Sequence, residues 1–392
     1  MTLDLEKISY ADFITEKLLI AARAIGADER ESQSVVSTVR DLIAPWGEHA
    51  IGNAPEYRSF VTDYKGLPFE PSVNFSKKGP ALRLMWETLG YPAGEETCPD
   101  PGGDVIRRLA GRPGVSLDKY LKIEDLFMPT GLIELPAKST VWIMLMWRPG
   151  ELPRFKAYMC ALHRGPDSAS DVVGEALSRV GLARPWSMIR ERYDELLELG
   201  YTLPGVALEL DDDPRGRFKL YFAIKDPSLA KLEKLAGMAI KHSQERLVNS
   251  YRILCGQMDD FGPGAISFTA NLSLVEGCDR PVSFNGSIPI FSTFDSDLTR
   301  SEVVARERFT KVLDSEGVNS GQYQELLRAL ANDEKFGSTL RHAHFAVRTD
   351  EDTFDASVYL HFPVWNEQGG LGQREQWVKR QEQLLSPAVR RT

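Results

Sequence analysis

The chain has 392 residues, 42% hydrophobic and 26% charged, an ordinary globular composition. Its formal net charge of −9 argues against general nucleic-acid or anionic-membrane binding, so any anion site must be a local cationic cluster. Four scattered cysteines (Cys98, Cys160, Cys255, Cys278) without a CxxC pair speak against a disulfide framework or structural zinc, and a reducing cytoplasm is the expected location. The N-terminus is acidic and lacks a cleavable hydrophobic segment, and the longest apolar run, Val141 to Trp147, is far too short to span a bilayer.

In chain order, amphipathic spacing predicts helices over Tyr10–Ile25 and Glu29–Ile43. A first β-hairpin follows, Leu67–Ser76 with Ala81–Glu87, turning at Lys77-Lys78-Gly79-Pro80. Gly102-Gly103 before Val105–Leu109 resembles a phosphate-binding helix start, although a plain loop is the expectation. The second hairpin pairs Ser139–Arg148 with Arg154–His163 through Pro149-Gly150. Helices are predicted over Ala169–Val180 and Trp186–Leu199, then a third hairpin, Val206–Leu210 with Arg217–Lys225, across an aspartate-rich turn. A long helix over Leu229–Leu254 precedes the fourth hairpin, Ala265–Leu274 with Pro281–Phe291. Helices over Glu302–Leu313 and Tyr323–Ala331 lead to the fifth, Leu340–Thr349 with Phe354–Pro363.

Five hairpins with helices between most of them predict a mostly antiparallel sheet of ten strands in one domain spanning 1–392. A sheet of that size tends to curl or close, and closure removes its edges and leaves a lumen for ligands. Helices would coat the outside; a flat open sheet is the alternative.

The second strand of each hairpin carries the polar signal. Two of them nearly repeat: Arg154-Phe155-Lys156-Ala157-Tyr158 and Arg217-Phe218-Lys219-Leu220-Tyr221. Alternation places Arg154, Lys156 and Tyr158 on one face, and likewise Arg217, Lys219 and Tyr221. Arg83, Asn285, Ser287, Tyr359 and His361 stand on the corresponding strands of the other hairpins. Since the opposite faces read apolar, these groups are expected to point into the barrel. Inward charges are costly unless paired, and a bound diphosphate is the expected partner. An allylic diphosphate suits two cations followed by a phenol, because its carbon–oxygen bond breaks to leave a carbocation beside pyrophosphate.

With Glu70-Pro71-Ser72-Val73-Asn74-Phe75, Leu82-Arg83-Leu84-Met85-Trp86-Glu87 and the two Arg-Phe-Lys-x-Tyr strands in this order, the chain resembles the aromatic prenyltransferases of the dimethylallyltryptophan synthase family. It looks most like the bacterial tryptophan prenyltransferases of that family. The resemblance implies an α+β fold, a ten-stranded antiparallel PT barrel (ABBA fold) of five αββα repeats with helices outside. It implies that Glu70 hydrogen-bonds the indole N–H and that Arg83, Lys156, Arg217 and Lys219 bind diphosphate. Tyr158, Tyr221 and Tyr359 match its tyrosine shield around the dimethylallyl group; Arg154 is added by analogy with Arg217. The implied substrates are small molecules, L-tryptophan and dimethylallyl diphosphate, with no nucleic acid, membrane or cofactor.

That chemistry has a physical rationale. Departing pyrophosphate builds negative charge that preorganised Arg and Lys donors stabilise. Tyrosine faces exclude water and stabilise an allyl cation through the ring quadrupole. No magnesium is expected, because the only acidic cluster worth testing, Asp211-Asp212-Asp213-Pro214, lacks DDxxD spacing and sits where a turn wants Asp and Pro. His342 and His344 share a strand face by alternation, with no evident third metal ligand.

Two departures from the family bear on specificity. Members prenylating indole carbon 4 carry a lysine in the first strand of the second hairpin, where this chain reads Ser139 to Trp147 without an ionisable side chain. Carbon 6 is therefore favoured, then the nitrogen, for which Glu70 is a possible base; Trp142, Met144 and Met146 are candidates to reshape the acceptor pocket. The fourth hairpin reads Ser283-Phe284-Asn285-Gly286-Ser287 where a Gln and a Tyr are common, a thinner wall that a longer donor such as geranyl diphosphate could use. An indole peptide, cyclic dipeptide or phenol is the alternative acceptor, and a non-catalytic barrel storing an anionic lipid or nucleotide is the alternative from another class.

Overall fold

The computed structural model describes residues 4–52, 67–89, 101–128, 141–213, 216–256, 268–289, 298–336, 340–362 and 364. Ten strands close into one antiparallel barrel: β1 (Phe69–Ser76), β2 (Ala81–Glu87), β3 (Val141–Trp147), β4 (Arg154–Cys160), β5 (Tyr201–Glu209), β6 (Phe218–Ile224), β7 (Phe268–Leu274), β8 (Ser283–Pro289), β9 (Arg341–Thr349) and β10 (Phe354–His361). Each strand pairs with its neighbours in sequence, and β1 pairs with β10 to close the ring. All five predicted hairpins are present. Ser139, Thr140 and the strand ends at Ala265, Ile290 and Phe291 lie outside the described residues.

Strand alternation builds a two-faced wall. Phe75, Leu82, Leu84, Trp86, Phe155, Phe218, Leu220, Phe222, Phe345 and Val358 are all buried. Among the described residues this apolar face meets helices. Phe345 stacks on Phe309 of the helix Leu298–Ser315 at 4.6 Å, and Phe75 lies edge-on to Phe309 and to Tyr323 of the helix Ser320–Ala331. Fully burying each such side chain stabilises the fold by about 1.5–3 kcal/mol.

Close approaches fix the helices against the strands. Gly102, in a helix spanning Pro101–Arg107, presses on β3: an added Cβ would lie 2.5 Å from the Val141 carbonyl oxygen. The Gly102-Gly103 segment is thus helical rather than a loop, and its glycine serves packing. Gly286 of β8 similarly leaves space for the Tyr251 hydroxyl, which a Cβ would meet at 1.9 Å.

Side chains cap the starts of the first two helices. Asp28 and Glu31 form a reciprocal capping box before Glu29–Ile43, and Ser9 accepts from the Asp12 N–H before Tyr10–Ala24. The predicted helix over Leu229–Leu254 is instead two, Leu229–Ala236 and Gln244–Cys255. Gly237 ends the first, Ser243 caps the second, and the segment between donates from Ile240 and Lys241 N–H to Pro281 and Val282 carbonyls. Trp186–Leu199 is also split, into Ala183–Arg190 and Tyr193–Glu198. β5 starts five residues before its expected beginning at Val206, because a register shift between Thr202 and Gly205 carries the strand past Pro204. Among the described residues no helix is long and apolar enough to cross a membrane.

Candidate active site

Residues directly opposed in an antiparallel sheet point to the same face, so register decides which side chains share the lumen. Arg83 lies opposite Ser72 and Met146, Lys156 opposite Met144 and Glu209, and Tyr158 opposite Trp142 and Ala207. Lys219 also lies opposite Ala207, Tyr221 opposite Gly205, and Tyr359 opposite Ser72 and His344. Glu70 joins the same face through Met85 and Met144. The polar residues singled out on separate hairpins therefore share the interior face of one closed barrel.

Contacts bring them closer still. The Tyr158 and Tyr221 rings are 5.6 Å apart at 44°, with their hydroxyls 3.4 Å apart, and the Tyr158 hydroxyl reaches the Met144 sulfur at 3.5 Å. The Arg83 guanidinium lies 5.2 Å from the Tyr359 ring centre, and its Nε donates to the Ser72 hydroxyl at 3.2 Å. Its Nη2 is buried and meets no acceptor at hydrogen-bond distance among the described residues. Burial keeps the Tyr158 and Tyr221 phenols protonated by raising both pKa values.

The cations crowd one another. Burial, then Lys156 and Arg217, holds the Lys219 pKa well below that of an ordinary lysine. Burial pushes Lys156 down to about 8, a drop that the neighbouring Glu209 carboxylate limits. Among the described residues Lys219 forms no ion pair, whereas Arg154, Lys156 and Arg217 do. That is where expectation and structure part.

The resident partner is Glu209, at the end of β5, with only 4% of its side chain exposed. It accepts from Lys156 Nζ at 3.1 Å, from Arg217 Nη2 at 2.9 Å and Nε at 3.2 Å, and from Arg154 Nη2 at 3.3 Å. Burial alone would raise its pKa, but Lys156, Arg217 and Arg154 hold it far below the usual carboxylate range. Arg154 is the most exposed of the set at 45% and also binds Asp211 at 3.2 Å, which places it at the rim. Asp211, from the aspartate-rich turn, is thus held by an arginine.

His344 is the second residue that sequence reasoning missed. Its ring stacks on Tyr359 at 3.8 Å and 20°, and its Nε2 lies 3.8 Å from Glu70 Oε1. Burial, then Arg83, pushes its pKa down to about 3, leaving a neutral imidazole. His342 does not share its face, contrary to simple alternation. β9 and β10 shift register between Tyr359 and Leu360, where Leu360 pairs with His342 and Ala343 is passed over. The extra residue turns His342 outward, where it meets the Tyr323 hydroxyl and Glu302, each at 2.7 Å.

Trp142, Met144 and Met146 of β3 all face inward, in register with Tyr158, Lys156 and Arg154. In the fourth hairpin Asn271 donates to Asn285 at 3.5 Å, with Ser283 and Ser287 buried beside them.

Comparison with known proteins adds an independent line. The sequence profile of the family described as tryptophan dimethylallyltransferase matches residues 21–247. A curated relative, the indole diterpene prenyltransferase terF of Tolypocladium album, is 30% identical over 155 residues, 36% of this chain and 33% of that protein. The chain thus matches about a third of that relative's length. Among solved structures, a 6-dimethylallyltryptophan synthase from Micromonospora olivasterospora, in complex with DMASPP and Trp, superposes with a TM-score of 0.77 at 24% identity, covering 92% of this chain and 99% of that one. A 5-dimethylallyltryptophan synthase from Streptomyces coelicolor gives 0.75 at 21% identity, covering 92% and 99%. AnaPT from Neosartorya fischeri gives 0.72 at 20% identity, covering 91% and 95%. At these identities the likeness establishes the barrel fold.

Proposed function

Because the chain belongs to the tryptophan dimethylallyltransferase family, we propose that it is an aromatic prenyltransferase that moves a dimethylallyl group from dimethylallyl diphosphate onto the indole ring of L-tryptophan, at carbon 6, without a metal. The observation that carries this reading is convergence: Arg83, Lys156, Arg217 and Lys219 gather in one lumen with Tyr158, Tyr221 and Tyr359.

The chemistry follows from that arrangement. The carbon–oxygen bond of the donor breaks, and its electron pair leaves with pyrophosphate. Arg83 and Lys219 have donors to offer the phosphate oxygens, and Lys156 and Arg217 add positive charge beside them. This charge takes the place a divalent ion would fill. The tyrosine rings face the allyl cation and keep water away until the indole attacks. Glu70 orients the ring by accepting from its N–H, and the ring proton passes to the released pyrophosphate or to water, which restores aromaticity.

Carbon 6 is favoured because β3 offers Trp142, Met144 and Met146 to the lumen and no ionisable side chain from Val141 to Trp147. A base over carbon 4 is therefore missing from this strand. The indole nitrogen is the second reading, favoured by the Glu70 carboxylate beside the neutral His344.

Incubation with L-tryptophan and dimethylallyl diphosphate, with mass spectrometry and NMR of the product, tests donor, acceptor and position together. The expected product is 6-dimethylallyltryptophan, formed equally in EDTA. Loss of turnover on chelation with recovery in magnesium would overturn metal independence, and a product at another atom would overturn the position.

A further inference from the structure

A buried carboxylate in a site for a multiply charged anion is at first sight misplaced, since it repels the ligand. Glu209 is that carboxylate, and its contacts state what it does. It bonds three of the five strand cations, with Arg217 gripped through two nitrogens and the backbone N–H of Arg217 donating to Oε2 at 3.2 Å. Lys156 and Arg217 come from β4 and from the start of the strand two positions further round, so one carboxylate ties adjacent hairpins together.

We propose that Glu209 is the resident counter-ion of the diphosphate site, a positioning residue that keeps Lys156 and Arg217 aimed and charged between turnovers and limits how tightly pyrophosphate is retained afterwards. This rests on the reading of the cationic cluster as the diphosphate site. Among the described residues Lys219 and Arg83 lack such a carboxylate grip, and they remain the arms that take up phosphate oxygens first.

The surroundings of Lys156 make the idea testable by pH. Charged neighbours reach it from every side: Glu209 from β5, Arg217 and Lys219 from the third hairpin's second strand, and Arg83 from β2. Arg154 on its own strand and Asp211 in the turn share the Glu209 network. Of these, Glu209 favours the charged amine, and Arg217 and Arg83 disfavour it. Removing the carboxylate charge therefore lowers the Lys156 pKa from about 8, by about 1–3 units for a lost partner at contact distance.

The experiment compares the unmodified enzyme with Glu209→Gln and Glu209→Asp, measuring inorganic pyrophosphate binding and kcat/KM for dimethylallyl diphosphate between pH 6 and pH 9. In Glu209→Gln the alkaline limb of kcat/KM moves to lower pH by about one unit or more. Pyrophosphate binds more tightly than to the unmodified enzyme at the acid end of that range, below the shifted limb, where repulsion is gone and Lys156 is still charged, and more weakly at pH 9, above it. Glu209→Asp keeps the charge and the original limb, and KM for the acceptor stays unchanged throughout. A merely structural residue would weaken binding at both pH values, and that parallel loss overturns the proposal. If Glu209→Gln does not fold, Glu209→Ser in the same assay decides: an alkaline limb moved to lower pH supports the counter-ion role, and an unmoved limb overturns it. Failure of the unmodified enzyme to bind pyrophosphate would instead sink the diphosphate reading.

Discussion

Tyr221→Ala isolates what an aromatic face contributes to ionisation. The ring stands 5.6 Å from Tyr158 inside the lumen, with the Tyr359 ring close enough to act on it electrostatically. A desolvated cation–π contact is worth about 2 kcal/mol, which at 1.36 kcal/mol per decade becomes about 30-fold in kcat. Deleting the ring also opens a path for water, so dimethylallyl alcohol should rise as a side product. Tyr221→Phe keeps the face and loses only the 3.4 Å hydroxyl contact, a change of about 1 kcal/mol or less, so its turnover should stay within about fivefold. Product and alcohol are quantified together by chromatography, with thermal melts confirming that both variants are folded at the assay temperature. An alanine variant with full turnover and no added alcohol would refute the shield argument.

Other outcomes follow from the same geometry. Lys219→Gln removes a strand cation that has no ion pair among the described residues, and KM for dimethylallyl diphosphate should rise by about 10–100-fold for a lost charge-assisted bond; an unchanged KM places Lys219 outside the site. In the unmodified enzyme kcat/KM for the diphosphate should fall as pH rises through about 8, since Lys156 binds the anion only when protonated. A flat profile from pH 6 to pH 10 counts against that assignment. Asp333→Asn leaves the Lys17 ammonium buried without the carboxylate it meets, both side chains being at most 3% exposed. Urea unfolding should report a loss of about 3–5 kcal/mol, and a loss below about 1 kcal/mol would mean that the site relaxes or admits water.

The barrel was legible because alternation and turn residues survive in every hairpin, down to positive-φ glycines such as Gly79 and Gly150 in the first two turns. The Arg-x-Lys-x-Tyr strands announced their inner face because three polar groups at spacing two stand against buried phenylalanines. Glu209 gave no such signal. It ends an otherwise apolar strand and runs into Asp211-Asp212-Asp213, where one more acid reads as part of a solvated turn. Only pairing across β4, β5 and β6 reveals that its neighbours are cations. His344 stays in register with Tyr359 on the lumen face, but alternation paired it with His342, which the passed-over residue at Ala343 turns to the other face. The broken helix over 237–243 was likewise masked by apolar spacing that continues through a segment whose backbone bonds go to the fourth hairpin.

Closure by β1 and β10 has a temporal consequence. Ser72 and Tyr359, which face each other across that seam, are separated by most of the chain. Long-range pairings of this kind form late, because the ends of a long loop must first be brought together. During synthesis the N-terminal hairpin leaves the ribosome long before its closing partner, so Arg83 waits for Tyr359. The barrel stays open until that final hairpin docks, and an unfinished chain cannot bring together the cations and tyrosines on which the proposed chemistry depends.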